Sequence, residues 1–153
     1  MNNFEFGNPV KVVFGKGTIA RLSQLIPADS KVMMVYGGGS IKRNGIYEQV
    51  KEALAGFAVT EFGGIEANPH YETCMKAVDV IRREGINYLL AVGGGSVIDA
   101  TKFMAVATFF EGDPWDILSK GAQAKQALPL AVVLTLAATG SEMNERSVIS
   151  RAE

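Results

Sequence analysis

Two Gly-Gly-Gly-Ser segments, each directly after a continuously apolar run, constrain the fold of this chain more than any other feature. One run occupies residues 32–36 and is followed by residues 37–40, and the other occupies 88–92 and is followed by 93–96. Apolar runs without alternation predict strands that are buried on both faces, as in a parallel sheet. Glycines at the carboxyl ends of such strands let backbone N–H groups approach a ligand closely. The pair of segments therefore predicts an open α/β sheet with a ligand site at one edge.

Strand-like and helix-like segments alternate along the rest of the chain. Strands are predicted at residues 10–15, 31–37, 57–64, 86–92 and 128–138, and helices at 18–26, 46–55, 68–85 and 96–110. Asn68 is a candidate N-cap of the third helix, with Pro69 in its first turn and Gly85 at its end. This order predicts a Rossmann-like, mainly parallel sheet with helices on both faces. Residues 147–153 look like the opening of another strand, so Glu153 is interpreted as a cut and not a natural terminus.

Composition narrows the classes of partner and location. The 153 residues carry a formal net charge of −1, so there is no basic excess to neutralise a nucleic-acid backbone. The single cysteine, Cys74, rules out an intrachain disulfide and is interpreted as a small buried residue. Neither a signal peptide nor an apolar run long enough for a bilayer is visible. We therefore expect a cytoplasmic protein that binds neither nucleic acid nor membrane.

The second glycine segment suits a pyrophosphate group. Gly94, Gly95 and Ser96 lead into a predicted helix, whose N-terminus favours an anion. Ser96 and Asp99 form an S-x-x-D pattern, which predicts a helix cap. The G-x-G-x-x-G pattern is not met, because residue 98 is Ile. Tight turns that bind no ligand remain the alternative.

The first glycine segment bears on the choice of nicotinamide cofactor. Sites that prefer NAD commonly place a carboxylate at this strand end, where it binds the ribose 2′-hydroxyl. Here Ser40 follows the glycines, and Lys42 and Arg43 come next, so a 2′-phosphate would meet a hydroxyl donor and two cations. This arrangement favours NADP(H). A solvated basic helix start is the alternative.

A third polar stretch follows the last predicted strand. Thr135, Thr139 and Ser141 would place hydroxyl groups at the same edge of the sheet. These hydroxyls suit a polar ligand, although Thr and Ser also serve as ordinary turn residues.

Taken together, these segments resemble the iron-containing (group III) alcohol dehydrogenases, and within them the NADPH-dependent butanol dehydrogenase and broad-range aldehyde reductase branch. The resemblance rests, in chain order, on "FGKG", "YGGGS", "EFGGIEANP", "AVGGGSVIDATK", "DPW" and "LTLAATGSE". The pattern GGGSxxDxxK, met by residues 93–102, is a hallmark of that family. The segments span essentially the whole chain, so the resemblance is specific.

The resemblance implies a role for each candidate residue. It implies hydride transfer between NADP(H) and an alcohol or aldehyde, by a homodimer whose N-terminal strand takes part in the dimer contact. Residues 1–153 would be the dinucleotide-binding domain, without the family's C-terminal helical metal domain. The implied cofactor contacts are Gly38, Gly39 and Ser40 on the adenosine phosphate side, Asn68 at the adenine ribose, Gly94, Gly95 and Ser96 at the pyrophosphate, and Asp99, Thr135, Thr139 and Ser141 on the nicotinamide side.

The chain departs from the family in its metal ligands. The family holds a divalent metal, iron or zinc, with one Asp and three His, whereas this chain has one histidine, His70. We therefore assign no catalytic or metal residues here and expect the metal only in a full-length enzyme. The isolated chain is expected to bind NADP(H) weakly and to reduce nothing. Two alternatives stay open: a stand-alone nucleotide-binding module without catalysis, and an NAD-using lyase of the dehydroquinate synthase type.

Overall fold

Within the described part of the chain, four parallel strands form one sheet. The computed structural model describes residues 3–152. The strands are β1 (Lys31–Tyr36), β2 (Ala58–Phe62), β3 (Tyr88–Gly93) and β4 (Leu130–Leu134), arranged in the order β2-β1-β3-β4. Each neighbouring pair is parallel. The predicted Rossmann-like α/β class is therefore confirmed.

Helices cover both faces of this sheet. A 3₁₀ turn at Thr18–Arg21 leads into α1 (Leu22–Leu25), and α2 (Ser40–Arg43) and α3 (Ile46–Ala53) lie between β1 and β2. The remaining helices are α4 (Tyr71–Glu84), α5 (Gly95–Ala107) and α6 (Trp115–Ser119). Among residues 3–152, none of these helices has the length and apolar character needed to cross a membrane.

The two apolar layers explain why the central strands are continuously apolar. Met33 and Leu89 pack into a cluster with residues of α4 and α5, whereas Met34 and Leu90 pack with residues of α1, α2 and α3. Successive side chains of a strand point to opposite faces, so each of these strands supplies both layers. Nearly every position of β1 and β3 is therefore buried.

The strand order creates a switch point between β1 and β3. The chain leaves β1 towards β2 on one side, and it leaves β3 towards β4 on the other side. In open α/β sheets, ligands bind in the crevice that such divergent connections leave at the carboxyl ends of the strands. Both Gly-Gly-Gly-Ser segments lie at this point.

The N-terminal prediction is wrong. Residues 10–15 form no strand, and Val10, Val12 and Phe14 are 50%, 63% and 97% exposed. The segment has strand-like composition, but it pairs with no strand in the part of the chain that the structure describes. Strand propensity reports fit to a sheet surface and cannot supply the partner.

Other element ends also differ from the predictions. The helix predicted from residue 68 begins at Tyr71, because Asn68 adopts the left-handed conformation with φ 64° and His70 remains extended. Asn68 is therefore not the N-cap, while Gly85 does end the helix, at φ 65°. The last strand stops at Leu134 and not at residue 138. Residues 147–152 do not form a strand, although Ser150 makes one isolated parallel bridge to His70.

Candidate functional site

The glycines between the end of β3 and the start of α5 allow close packing, both within this turn and against another loop. A Cβ on Gly95 would overlap the side chain of Thr139 and would lie 2.9 Å from Ser141 Oγ. A Cβ on Gly93 would lie 2.6 Å from Val97 Cγ2. Both distances are shorter than carbon atoms tolerate, so glycine is required for this packing.

The helix cap predicted from the S-x-x-D pattern is wrong. Helix α5 is preceded by Gly94 in an extended conformation, and no side chain caps it. Asp99 instead accepts a hydrogen bond from the backbone N–H of Val148 at 3.1 Å and pairs with Lys102 at 3.4 Å. The first N–H groups of α5 are therefore not blocked by a capping side chain, which leaves them available to an anion.

The glycines after β1 accommodate the loop that follows β2. The carbonyl of Gly37 accepts a hydrogen bond from Gly64 N–H at 3.1 Å, and a Cβ on Gly37 would lie 3.3 Å from the carbonyl oxygen of Ile65. Gly39 has φ 93° and directly precedes α2, whose first residue, Ser40, is exposed. The space around Gly38 is open. The edge beside β1 is thus formed by backbone with little side-chain bulk.

Asn68 connects the loop before α4 to the second glycine segment. Its backbone N–H lies 3.4 Å from Ser96 Oγ, across 28 residues of sequence. The structure therefore brings Asn68 together with Ser96 at the start of α5, as a shared ligand would require.

The segment after β4 completes this edge of the sheet. The N–H of Thr135 donates to the carbonyl of Gly93 at 3.0 Å, and the hydroxyls of Thr139 and Ser141 lie 3.1 Å apart. An open cleft of about 480 Å³ lies here, a volume within the range of ligand sites. Its walls are formed by Asp99, Thr139, Gly140, Ser141, Asn144, Arg146 and Val148. Three of the four residues expected on the nicotinamide side line this cleft, and Thr135 does not.

A cluster at the ends of β1 and β2 was missed by the sequence reasoning. The hydroxyls of Tyr36 and Tyr47 donate to the Glu61 carboxylate at 3.2 and 2.7 Å, and Lys51 pairs with it at 3.0 Å. Burial would raise the pKa of Glu61, but the hydrogen bonds from Tyr47 and Lys51 outweigh it and hold the pKa below its ordinary value. The i, i+4 spacing of Tyr47 and Lys51 on α3 is the sequence signal that could have indicated a shared partner.

Lys42 lies against the same two tyrosines. Its ammonium nitrogen is 5.2 Å from the ring centroid of Tyr36 and 5.0 Å from that of Tyr47. The neighbouring Tyr36 hydroxyl is the main cause that raises the pKa of Lys42 above its ordinary value. The exposed ammonium thus lies against two aromatic rings, two residues beyond Ser40.

The donor side chains do not fit a metal ion. Among residues 3–152, no three His, Cys, Asp or Glu side chains lie close enough together to hold one. His70 is exposed at the start of α4, as a single imidazole. Cys74 is fully buried, and burial raises the pKa of its thiol to about 12, so the free thiol is protonated at neutral pH.

Comparison with known proteins identifies relatives along the whole chain. The chain is 53% identical over 154 residues to the NADPH-dependent aldehyde reductase YqhD of Escherichia coli K12, covering 99% of this chain and 40% of that protein. It is also 53% identical over 156 residues to a probable NADH-dependent butanol dehydrogenase 1 of Bacillus subtilis 168, covering 100% of this chain and 40% of that protein. The chain thus spans about 40% of the length of these relatives.

Two solved structures have the same fold as this chain over nearly its whole length. The crystal structure of Escherichia coli K-12 YqhD aligns with a TM-score of 0.94 at 53% identity, over 98% of this chain and 39% of that one. NADH-dependent butanol dehydrogenase A of Thermotoga maritima aligns with a TM-score of 0.94 at 44% identity, over 99% of this chain and 39% of that one. The family model described as iron-containing alcohol dehydrogenase matches residues 9–153. The chain therefore belongs to the iron-containing alcohol dehydrogenase family.

Proposed function

We propose that residues 1–153 form the dinucleotide-binding domain of an NADP(H)-dependent enzyme that interconverts an alcohol and an aldehyde. The observation that carries the proposal is the position of the two glycine segments, which flank the switch point between β1 and β3. The cleft beside Ser141 extends this edge of the sheet with hydroxyl groups. The chain spans about 40% of the length of these relatives. The activity of a whole enzyme is therefore proposed here as well.

The backbone around the second glycine segment suits the pyrophosphate. Helix α5 is 13 residues long, and its uncapped N-terminus supplies N–H donors and a positive dipole end. Gly94, Gly95 and Ser96 would hold the pyrophosphate there, and Asn68, which is bonded to Ser96, would meet the adenine ribose. Asp99, Thr135, Thr139 and Ser141 would lie on the nicotinamide side. NADPH, when bound, supplies the hydride.

The first glycine segment supports NADP(H) over NAD(H). Overall identity does not decide this choice, since relatives of equal identity are named for different cofactors. Gly38, Gly39 and Ser40 offer open backbone and an exposed hydroxyl, and the Lys42 ammonium lies against the Tyr47 ring two residues further on. The one carboxylate of the adjacent cluster, Glu61, is compensated by Lys51 and two hydroxyls. A 2′-phosphate would therefore meet donors and little uncompensated negative charge.

The whole enzyme would need a group that polarises the substrate carbonyl, and the described residues offer no such metal site. The chain alone is accordingly proposed to bind the cofactor without reducing aldehydes. A homodimer is proposed as well, because the N-terminal segment exposes Phe4, Phe6 and Phe14. A cytoplasmic location stays a prediction.

The test is a titration of the purified chain with NADPH and with NADH, followed by nicotinamide fluorescence. We expect NADPH to bind about 10- to 100-fold more tightly, the value of one or two charge-assisted hydrogen bonds. Ser40→Asp should remove this preference by placing a carboxylate beside the 2′-phosphate. Ser23→Asp, at an exposed position of α1, is the matched control and should leave both affinities unchanged.

The alternatives predict different results. A preference of the wild-type chain for NADH would favour an NAD-using enzyme of the lyase type. If neither cofactor binds, the result would favour the alternative in which the glycines shape tight turns and bind no ligand. Aldehyde reduction by this chain alone would overturn the proposal that catalysis requires a further part.

A further inference from the structure

Lys102, at the end of the GGGSxxDxxK pattern, is surrounded by oxygen atoms. Its ammonium nitrogen lies 2.9 Å from the carbonyl oxygen of Ser141, 3.2 Å from Asn144 Oδ1 and 3.5 Å from the carbonyl oxygen of Asn144. It also donates to the carbonyl of Arg146 and pairs with Asp99 Oδ1 at 3.4 Å. The side chain is only 13% exposed. The ammonium therefore joins helix α5 to the segment that follows β4.

That segment, residues 139–147, which we call the cleft loop, has no helix or strand of its own. Within it, the Asn144 amide donates to the carbonyl of Gly140 at 2.6 Å, and the Arg146 N–H donates to Asn144 Oδ1 at 3.0 Å. Its carbonyl groups at residues 141, 144 and 146 all turn towards Lys102. A loop without regular hydrogen bonding needs such a partner to keep one conformation.

Asp99 and its neighbours extend the same attachment. The carboxylate of Asp99 accepts from the N–H of Val148, and the backbone carbonyl of Asp99 accepts from the Ser147 hydroxyl at 2.7 Å. The cleft loop, from Ser141 onward, and Val148 directly after it are thereby held along one face of α5. Thr139 and Ser141 then lie directly against Gly95, at the start of the same helix.

We propose that Lys102 is a positioning residue that fixes the cleft loop against α5 and so completes the nicotinamide half of the site. It does so without contacting the cofactor: its three N–H donors are directed to loop oxygens and to Asp99, which leaves none for a phosphate. The inference rests on the proposed function for the identity of the ligand. The attachment of the loop to α5 is a property of the chain itself.

Two ligands separate a positioning role from direct phosphate binding. NADPH would occupy the whole site, whereas adenosine 2′,5′-bisphosphate carries the adenosine half and lacks nicotinamide. The Lys102→Met variant should lose at least tenfold in affinity for NADPH and stay within twofold of wild type for adenosine 2′,5′-bisphosphate. The fluorescence of NADPH bound at saturation should shift towards that of free NADPH, because the nicotinamide loses its fixed surroundings. Lys76→Met, on the exposed face of α4, is the matched control and should change none of these values.

Equal loss for both ligands would overturn the proposal, since it would indicate phosphate binding or a general effect on the fold. Unchanged affinity for NADPH would overturn it too. If Lys102→Met does not fold, Asn144→Ala serves in its place, because it removes one of the contacts between Lys102 and the loop. Its affinity for NADPH should fall by less than in Lys102→Met, and its affinity for adenosine 2′,5′-bisphosphate should not change.

Amide hydrogen exchange tests the positioning role independently of any ligand. Exchange in residues 139–148 should become at least tenfold faster in Lys102→Met, while exchange in β1 and β3 stays unchanged. Unchanged exchange in the cleft loop would refute the positioning role. Failure of the wild-type chain to bind either ligand would instead refute the proposed function.

Discussion

A single added methyl group at Gly95 tests the packing on which the candidate site depends. The new Cβ of Gly95→Ala would overlap Thr139 and would lie 2.9 Å from Ser141 Oγ. Neither neighbour can move without disturbing the other, because their hydroxyls lie 3.1 Å apart and Ser141 is buried. The substitution should therefore push the cleft loop away from α5.

The expected magnitude follows from two opposing effects. Alanine in place of glycine stabilises an unobstructed helix by up to ~1 kcal/mol. Overpacking a closely packed site costs ~1–3 kcal/mol. Since the overlap here involves a branched side chain and a buried hydroxyl, we expect a net loss of about 1–2 kcal/mol in the free energy of unfolding. Affinity for NADPH should fall at least tenfold with it.

Urea unfolding followed by circular dichroism measures the free energy of unfolding. The NADPH titration measures the affinity of the site for the cofactor. Gly56→Ala is the control, because a Cβ there meets nothing within 4 Å, and the change should stay within about 0.5 kcal/mol. The double variant Gly95→Ala/Thr139→Gly removes the overlapping side chain, so its cost should be smaller than the sum of the single costs by ~0.5–2 kcal/mol. A Gly95→Ala chain as stable as wild type, with full NADPH affinity, would refute this reasoning.

Three further predictions concern the rest of the molecule. Phe103→Ala empties a core position that is 1% exposed and packs on Tyr71, so urea unfolding should show a loss of ~3–5 kcal/mol. The thiol of Cys74, buried and with its pKa raised to about 12, should resist iodoacetamide in the folded chain and react once urea unfolds it; rapid reaction of the native chain would contradict this. The pKa of Glu61 is lowered, so its contribution to stability is present above the ordinary carboxyl pKa and is lost as pH falls through the lowered value. Glu61→Gln should thus cost about 1 kcal/mol at neutral pH and progressively less in acid, whereas a pH-independent cost would show that charge is not involved.

The sheet could be predicted from the sequence because its two central strands are apolar on both faces. Val32 to Val35 and Leu89 to Val92 are apolar at every position, and only a sheet covered on both faces buries them all. The same reasoning failed for residues 10–15, whose composition is equally strand-like. Local pattern cannot report whether a neighbouring strand is within reach, and Phe14 is 97% exposed.

The candidate site was predictable where it depends on backbone and not where it depends on tertiary contacts. The glycine segments follow predicted strands, so their meeting at one edge comes from the topology alone. The cap prediction failed because the partner of Asp99 is the N–H of Val148, 49 residues away. The cluster around Glu61 depends on the register that places Glu61 opposite Met34, which no local pattern reveals.

The attachment of residues 139–151 also bears on how the chain reaches its native state. Ser150 pairs with His70, and Val148 pairs with Asp99, so this stretch is ordered by contacts between distant parts of the chain. Within it, Ser141 and Ile149 alone are buried. Closing such long loops costs chain entropy that few buried groups offset, so the stretch should dock late, on a sheet already formed. A ligand that binds only the docked form would then raise the apparent stability of the chain in proportion to the logarithm of its concentration.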